Sequence, residues 1–131
     1  MTRDYRRSIP LEQHLKSPVQ AQDLTIAPAL DEGMWNLRGD VTNPVFVRSV
    51  PGQLGLSLPT DIGGTVTEGT ATAICVGPDE WYIACQPRHL ALTLDIPDCR
   101  FSLVDLSDQM ATIDVSGMKA RELMSKAVSI D

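Results

Sequence analysis

The side chains that could carry out chemistry are few, and they are scattered along the chain. Neither His14 nor His89 has a cysteine or carboxylate partner at the spacing of a metal-binding motif. Asp79 and Glu80 are adjacent, so in a strand they would point to opposite sides and could not work as one acid–base pair. No serine lies in a Gly-x-Ser-x-Gly turn. The sequence therefore predicts no catalytic, cofactor-binding or metal-binding residue in this chain.

Other polar and glycine-rich positions favour structural roles. Asp105 and Asp108 flank a turn, and we expect them to cap backbone N–H groups. The glycines at 63, 64 and 69 match neither a P-loop nor a dinucleotide fingerprint, and no lysine follows them. We therefore expect no phosphate-binding site in that segment.

The chain has three cysteines, an odd number. In a hairpin that turns at residues 78–79, Cys75 would face Tyr82 and Cys85 would face Thr72. The two thiols should therefore not meet as a disulfide, and we interpret them as small buried residues in a reducing compartment.

Composition and charge indicate one domain with a packed core. The chain has 131 residues, of which 43% are hydrophobic, and a formal net charge of −6. An acidic chain disfavours nucleic-acid binding, which usually needs a basic face. The densest basic cluster, Arg3 with Arg6 and Arg7, is either solvated or docked on an acidic partner. Nothing resembles a signal peptide or a membrane span, so we expect a cytoplasmic protein without a membrane segment.

The clearest local element is a β-hairpin. Its turn lies in the segment Val76-Gly77-Pro78-Asp79-Glu80-Trp81, between apolar runs at residues 71–76 and 81–85. Pro78 sets φ near about −65° for the first corner of a tight turn, and the Asp79 side chain can accept bonds from nearby backbone N–H groups. We expect Trp81 to be buried and to anchor the second strand.

The elements before the hairpin are less regular. Prolines punctuate residues 1–33, which predicts an irregular N-terminal arm with at most one helical turn, at residues 11–15. Residues 34–131 are expected to form a single domain. That domain opens with a strand at residues 34–38, where apolar and polar side chains alternate.

A helix is predicted to follow, with Asn43 as its N-cap and Pro44 as its first residue. Three apolar residues share one face of this helix: Phe46, Val50 and Leu54. Pro51 predicts a kink or an early stop, because its ring clashes with the carbonyl four residues before it. Gly55 is a candidate C-cap, and residues 60–70 are expected to form a loop.

Beyond the hairpin, alternating apolar residues at 90–96 predict a short strand or a turn. Residues 101–106 and 110–115 each predict a strand, with a turn at 107–109 between them. A last helix is expected after Ser116 as N-cap, with an apolar stripe of Ala120, Leu123, Met124 and Ala127. The order of elements predicts an α+β fold: an antiparallel or mixed sheet with two helices on one face.

Several short segments are informative because they occur together and in order. They are Leu37-Arg38-Gly39-Asp40 with Pro44 and Phe46, Leu54-Gly55-Leu56 with Leu58-Pro59, Val76-Gly77-Pro78-Asp79-Glu80-Trp81, Val104-Asp105-Leu106-Ser107-Asp108, Val115-Ser116-Gly117 with Ala120, Arg121 and Leu123, and Ile130-Asp131. The stretch from Arg7-Ser8 to His14-Leu15 adds to them. Taken together over most of the chain, these segments resemble the gamma subunit family of heterotetrameric sarcosine oxidase.

The resemblance implies a fold related to a half domain of the folate-binding, aminomethyltransferase-like proteins. It also implies a non-catalytic small subunit of a complex that oxidatively demethylates sarcosine to glycine and passes one-carbon units to tetrahydrofolate. In such complexes other subunits hold FAD, FMN, NAD and tetrahydrofolate. The implied partners are a large folate- and NAD-binding alpha subunit, a flavoprotein beta subunit and a small zinc-binding delta subunit.

Two alternatives stay open beside this interpretation. A related secondary-amine dehydrogenase, such as N-methylglutamate dehydrogenase, has a similar small subunit, and its substrate pocket lies in another chain. A stand-alone folate-binding one-carbon protein would fit the half-domain fold, although such proteins use a longer, two-part scaffold. The family pattern usually continues past Asp131, so we expect either a natural short form or a truncated record. A missing strand would leave a sheet edge that needs a covering partner.

Overall fold

The computed structural model describes Leu11, His14 and residues 17–129 of the chain. These residues contain β1 (Val19–Ala21), β2 (Leu24–Pro28), β3 (Gly33–Gly39), α1 (Pro44–Leu54), β4 (Thr65–Glu68), β5 (Ala71–Gly77), β6 (Glu80–Cys85), β7 (Phe101–Asp105), β8 (Ile113–Ser116) and α2 (Ala120–Ala127). The α+β class predicted from the sequence is confirmed. Every strand pairing is antiparallel, and the strands form two sheets.

The chain divides into two compact units, which are described in turn. The first comprises residues 31–107, and the second comprises the described parts of 1–30 and 108–131. The domain boundary expected after residue 33 stays a prediction.

In the unit of residues 31–107, five strands form one sheet in the order β4-β5-β6-β3-β7. Alternate residues face the core, as expected for a sheet covered on one side. In β6, for example, Trp81, Ile83 and Cys85 are buried and the residues between them are half-buried. One buried cluster joins the sheet, α1 and the loops: Leu37, Phe46, Val50, Leu56, Ala73, Cys75, Trp81, Ile83 and Ile96.

Helix α1 begins as predicted, because the Asn43 side chain accepts a hydrogen bond from the Val45 N–H at 2.9 Å. The early stop considered at Pro51 is wrong, since the helix continues to Leu54; a kink there stays a prediction. Burial of Phe46 and Val50 on the apolar face of α1 offsets the backbone hydrogen bond that Pro51 cannot donate. The helix then ends at Gly55, whose φ of 63° is left-handed and whose N–H bonds to the Pro51 carbonyl at 2.9 Å.

The predicted hairpin is confirmed as β5 and β6, but its register differs by one residue from the expected register. Cys75 lies opposite Trp81, and Cys85 lies opposite Ala71. The cause is an irregularity between Cys75 and Gly77 that adds one residue to β5 and shifts all pairs beyond it. All three cysteines are free thiols.

The loop expected at residues 60–70 is wrong in part, because Thr65–Glu68 form strand β4. This strand pairs with β5, with Thr65 opposite Ile74 and Glu68 opposite Ala71. Three consecutive β-branched residues, at 65 to 67, favour an extended backbone. The glycines at 63, 64 and 69 flank this strand, and they favoured the prediction of a loop.

Residues 90–96 do not form the short strand that was considered, yet their alternation is reflected in burial. Leu92 and Leu94 are half-buried against the core, and Ile96 is buried. The side chain of Gln53 holds this segment: its Oε1 accepts from the Asp95 N–H at 2.8 Å, and its Nε2 donates to the Asp95 carbonyl at 2.7 Å. The Gln53 amide thus makes the two backbone hydrogen bonds of Asp95 that a neighbouring strand would otherwise make.

Strand β7 and the turn at residues 107–109 are found where they were predicted. The Ser107 N–H donates to Asp105 Oδ1 at 2.9 Å, which confirms the capping role of Asp105. Strand β8 is shorter than the predicted 110–115 and shifted toward the C-terminus, at Ile113–Ser116. The two strands belong to different sheets, because β7 pairs with β3 and β8 pairs with β2.

The second unit has a three-stranded sheet in the order β1-β2-β8. The irregular arm expected for residues 1–33 is therefore wrong over residues 19–28. Residues that lie opposite one another share a face, so the registers place these side chains on one side: Val19, Ala21, Leu24, Ile26, Pro28, Ile113 and Val115. The sheet thus has one apolar face.

Helix α2 begins at Ala120, with Lys119 at the N-cap position and no side-chain cap. The predicted N-cap, Ser116, is wrong because that residue is the last of β8. Gly117 makes the turn between them with a φ of 107°, and a Cβ there would collide with the carbonyl of Asp23.

Some predictions fall outside the described residues. They concern the basic cluster of Arg3, Arg6 and Arg7, the terminal Ile130-Asp131, and most of the stretches 7–15 and 11–15. Within the latter, the His14 N–H donates to the Leu11 carbonyl at 3.0 Å, as in a single turn.

Candidate functional site

Trp81 is the structural anchor of the hairpin, as its sequence context predicted. The residue is completely buried, and its ring centroid lies 6.1 Å from that of Phe46 at an interplanar angle of 34°. Its Nε1–H donates to the Pro59 carbonyl at 2.7 Å. One side chain therefore joins the sheet, α1 and the segment that follows α1. Pattern reasoning could not find the Pro59 partner, which lies 22 residues away in sequence.

An apolar groove of about 240 Å³ lies beside this ring pair. Both rings line it, together with Val47, Pro51 and Leu58, and none of the described residues that line it has an ionisable side chain. Val47 on its rim is 45% exposed. Without a titratable group the groove can support no proton transfer, but it can receive one apolar side chain of a partner.

The adjacent carboxylates of the hairpin turn act as a structural charge cluster. Arg38 Nη2 lies 3.9 Å from Asp79 Oδ1 and 3.9 Å from Glu80 Oε2. Asn36 Nδ2 donates to Glu80 Oε1 at 2.9 Å. Because Arg38 is more than half exposed, each ion pair contributes little to stability. Both carboxylates are therefore engaged by β3, in keeping with the structural role predicted for them.

A more open groove of about 400 Å³ lies at this end of the sheet and is lined by Arg38, Asp40, Asp79, Arg100 and Phe101. Two arginines and two carboxylates line it, so it has little net charge. The pKa of Asp40 is lowered because its Oδ1 accepts hydrogen bonds from the Thr42 hydroxyl, at 2.6 Å, and N–H, at 2.8 Å. The described residues that line this groove include Ser102 but neither a histidine nor a cysteine, so that serine has no imidazole beside it to act as a general base.

A buried polar cluster, which sequence analysis missed, lies where β3 begins and β7 ends. Arg88 is 6% exposed, and its guanidinium donates to the carbonyls of Glu32, at 3.2 Å, and Ser107. The Met34 N–H donates to Ser107 Oγ at 3.0 Å. A buried arginine that bonds to backbone carbonyls fixes chain segments relative to one another. Only its position after a Gln-Pro pair marks it in the sequence, and that signal is too weak to identify it.

The thiol of Cys85 belongs to the same region and is 1% exposed. Burial raises its pKa, the carboxylates of Asp105 and Glu32 raise it further, and the Trp35 indole acts in the opposite direction. In the described part of the chain, the buried Trp35 Nε1 makes no hydrogen bond of normal geometry. Since the thiolate is the reactive form, Cys85 is suited to packing and poorly suited to catalysis.

The two histidines are not brought into a site with the other candidates. His14 lies in an exposed turn, and His89 is exposed after Arg88. Among residues 17–129 with Leu11 and His14, no group of three or more histidine, cysteine or acidic residues could hold a metal ion. In the same residues, no helix has the length and apolar character needed to cross a membrane.

Comparisons with known proteins bear directly on this arrangement. The model of the "Sarcosine oxidase, gamma subunit family" matches residues 38–131. A solved structure, the heterotetrameric sarcosine oxidase from Corynebacterium sp. U-96 in complex with pyrrole 2-carboxylate, contains a similar chain, with a TM-score of 0.70 and 16% sequence identity. The match covers 92% of this chain and 65% of that one, so this chain spans less than two thirds of its structural relative. A comparison with curated protein sequences found no match.

The structural likeness shows a shared fold, and the family match extends over most of the chain, from within β3 through α2. On that match, the chain belongs to the sarcosine oxidase gamma subunit family.

Proposed function

We propose that this protein is a non-catalytic gamma subunit of a multi-subunit sarcosine oxidase. The complex would oxidatively demethylate sarcosine to glycine in the cytoplasm and pass the one-carbon unit to tetrahydrofolate. The family match over residues 38–131 carries this proposal. The fold shared with a chain of a heterotetrameric sarcosine oxidase supports it.

The arrangement of side chains is also in keeping with a structural subunit. The carboxylates of the hairpin are tied to β3, the described cysteines are free thiols of which two are buried, and the groove beside Trp81 has no ionisable lining. Such a chain can stabilise an assembly by presenting apolar grooves to its neighbours.

In this proposal the cofactors belong to other subunits. FAD, FMN, NAD and tetrahydrofolate would be held by a large alpha subunit and a flavoprotein beta subunit, and a small delta subunit would bind zinc. The half-domain relation to the aminomethyltransferase-like fold is part of the same proposal.

The test is co-expression of this chain, carrying an affinity tag, with the subunits encoded beside it. We expect one complex with flavin absorbance and sarcosine-dependent oxygen consumption. N-Methylglutamate, offered with an artificial electron acceptor, is the matched substrate for the dehydrogenase alternative. Faster turnover with that substrate would favour the dehydrogenase and contradict the sarcosine assignment.

Calorimetric titration of the isolated chain with tetrahydrofolate examines the stand-alone alternative. We expect no heat of binding, because the folate site is assigned to another subunit. An isolated monomer that binds tetrahydrofolate or oxidises an amine with its own flavin would refute the proposal.

A further inference from the structure

Helix α2 is a short helix whose apolar stripe is only partly covered by the residues that the structure describes. It has eight residues, Ala120–Ala127, and none of them is buried. Helices shorter than about 12 residues are marginal in water, so this one depends on tertiary packing. Yet Met124, in its apolar stripe, is 45% exposed. The packing that such a helix needs is therefore incomplete within the described residues.

A groove of about 190 Å³ runs along one side of the helix. Leu24 of β2 and Leu123 supply its apolar surface, and Lys119 and Lys126 also line it. Glu122 also lines it, and its Oε1 accepts from Lys126 Nζ at 2.6 Å. The two residues form an ion pair at i,i+4 spacing, whereas Lys119 has no ion pair with another residue that the structure describes.

A second groove, of about 260 Å³, runs along another side of the helix. Met124 and Val128 supply its apolar surface, and Arg121 and Ser125 complete it. Just before the helix, Met118 is 89% exposed. An apolar strip bordered by cations therefore lies on both sides of α2.

This surface is basic although the chain is acidic. Three of the seven lysines and arginines in the described residues lie at 119–126, against the single acid Glu122. Asp23 lies near the start of the helix, since its carbonyl accepts the Lys119 N–H at 3.0 Å, and its carboxylate adds one negative charge. The net charge of this surface is still positive. The rest of the described chain has only four further cations against twelve acids. A partner that matches this surface must therefore combine apolar side chains with negative charge.

We propose that α2 and its two flanking grooves are the docking surface for an acidic, amphipathic segment of another subunit of the complex. This inference rests on the proposed function and names the contact surface. A second copy of this chain fits less well. A two-fold symmetric contact would bring α2 against its own copy, and the cations of both would then repel each other.

The first experiment locates the partner. A photo-crosslinking amino acid, p-benzoylphenylalanine, replaces Met124 in the co-expressed complex, and the crosslinked peptides are identified by mass spectrometry. We expect a crosslink to a segment of another subunit that contains more aspartate and glutamate than lysine and arginine. A crosslink only to a second copy, or none from an intact complex, would overturn the inference.

The second experiment measures the affinity of the chain for the remaining subunits, purified as a complex, at about 50 mM and about 200 mM NaCl. Arg121→Glu should raise Kd about tenfold at the lower salt concentration and less at the higher one. Met124→Ala should raise Kd about fivefold at both concentrations, because apolar burial is not screened by salt. Arg48→Glu, at an exposed position of α1, is the matched charge reversal and should change Kd by less than about twofold.

Helix loss cannot imitate this result, because an acid in the first turn is favourable to a helix. Far-UV circular dichroism of Arg121→Glu should therefore match that of the unmodified chain. Equal effects of Arg121→Glu and Arg48→Glu within an intact complex would overturn the docking surface and leave the proposed function standing. If the chain assembles with none of the subunits, both proposals fail.

Discussion

Replacing Trp81 with alanine tests the central claim about the fold, which is that one buried indole joins the hairpin to α1 and its following loop. The side chain is completely buried, so truncation removes its whole apolar contact with the core. Truncation of a buried tryptophan to alanine costs about 3–5 kcal/mol from lost transfer energy and the cavity left behind. The Pro59 carbonyl also loses its donor, a cost of about 1 kcal/mol or more where water cannot replace it.

These figures are large beside the stability of a typical domain, which is about 5–15 kcal/mol. Urea denaturation followed by far-UV circular dichroism measures the change. We expect Trp81→Ala to lower the free energy of unfolding by about 3–5 kcal/mol. Trp81→Phe keeps most of the apolar contact and loses the hydrogen bond, so it should cost about 1–2 kcal/mol.

Val76→Ala is the matched control in the same hairpin. Val76 is 39% exposed, so its truncation should change the free energy of unfolding by less than about 0.5 kcal/mol. A loss below about 1 kcal/mol for Trp81→Ala would refute the anchoring role. A variant complex that assembles normally but loses turnover would instead place Trp81 at a substrate or cofactor contact.

Three further predictions address α1 and the buried thiol. Asn43→Ala removes the side chain that caps α1 and should lower the free energy of unfolding, measured in urea, by about 0.5–2 kcal/mol. Asn43→Ser keeps a capping oxygen and should retain most of the stability. Equal losses for the two variants would argue against capping. Gly39→Ala places a methyl group in the space of the Phe46 ring and should lower the free energy of unfolding by about 1–3 kcal/mol. Gly52→Ala, in open space within α1, should raise it by about 0.5–1 kcal/mol. A change of the same sign in both variants would contradict the packing around Gly39. Because the folded state raises the pKa of Cys85, the unfolded chain loses that proton first as the pH rises. The contribution of Cys85 is therefore complete below the ordinary thiol pKa and is lost as the pH rises through the folded value, so Cys85→Ala should flatten the alkaline part of the stability curve; an unchanged slope would refute this.

Local signals in the sequence accounted for the elements whose structure is set by near neighbours. The N-cap of α1, its C-cap and the hairpin turn all depend on residues within about four positions, and each was predicted correctly. The amino-acid sequences of several short segments were also enough to identify the family, which the match over residues 38–131 confirms. Grooves and buried clusters were not predicted, because they are formed by residues far apart in the chain.

The sequence by itself determined the α+β class, the capped helix α1, the hairpin and its buried tryptophan, because periodicity and turn chemistry act over short distances. The tertiary structure decided the rest. Strands β2 and β8 form a pair although about 90 residues separate them, and of the two only β8 overlaps a strand that the sequence predicted. The bulge in β5 shifted the hairpin register by one residue, and Arg88 found its carbonyl partners on two distant segments. Such features satisfy buried polar groups and fill a core, and both conditions are defined only once the chain has folded.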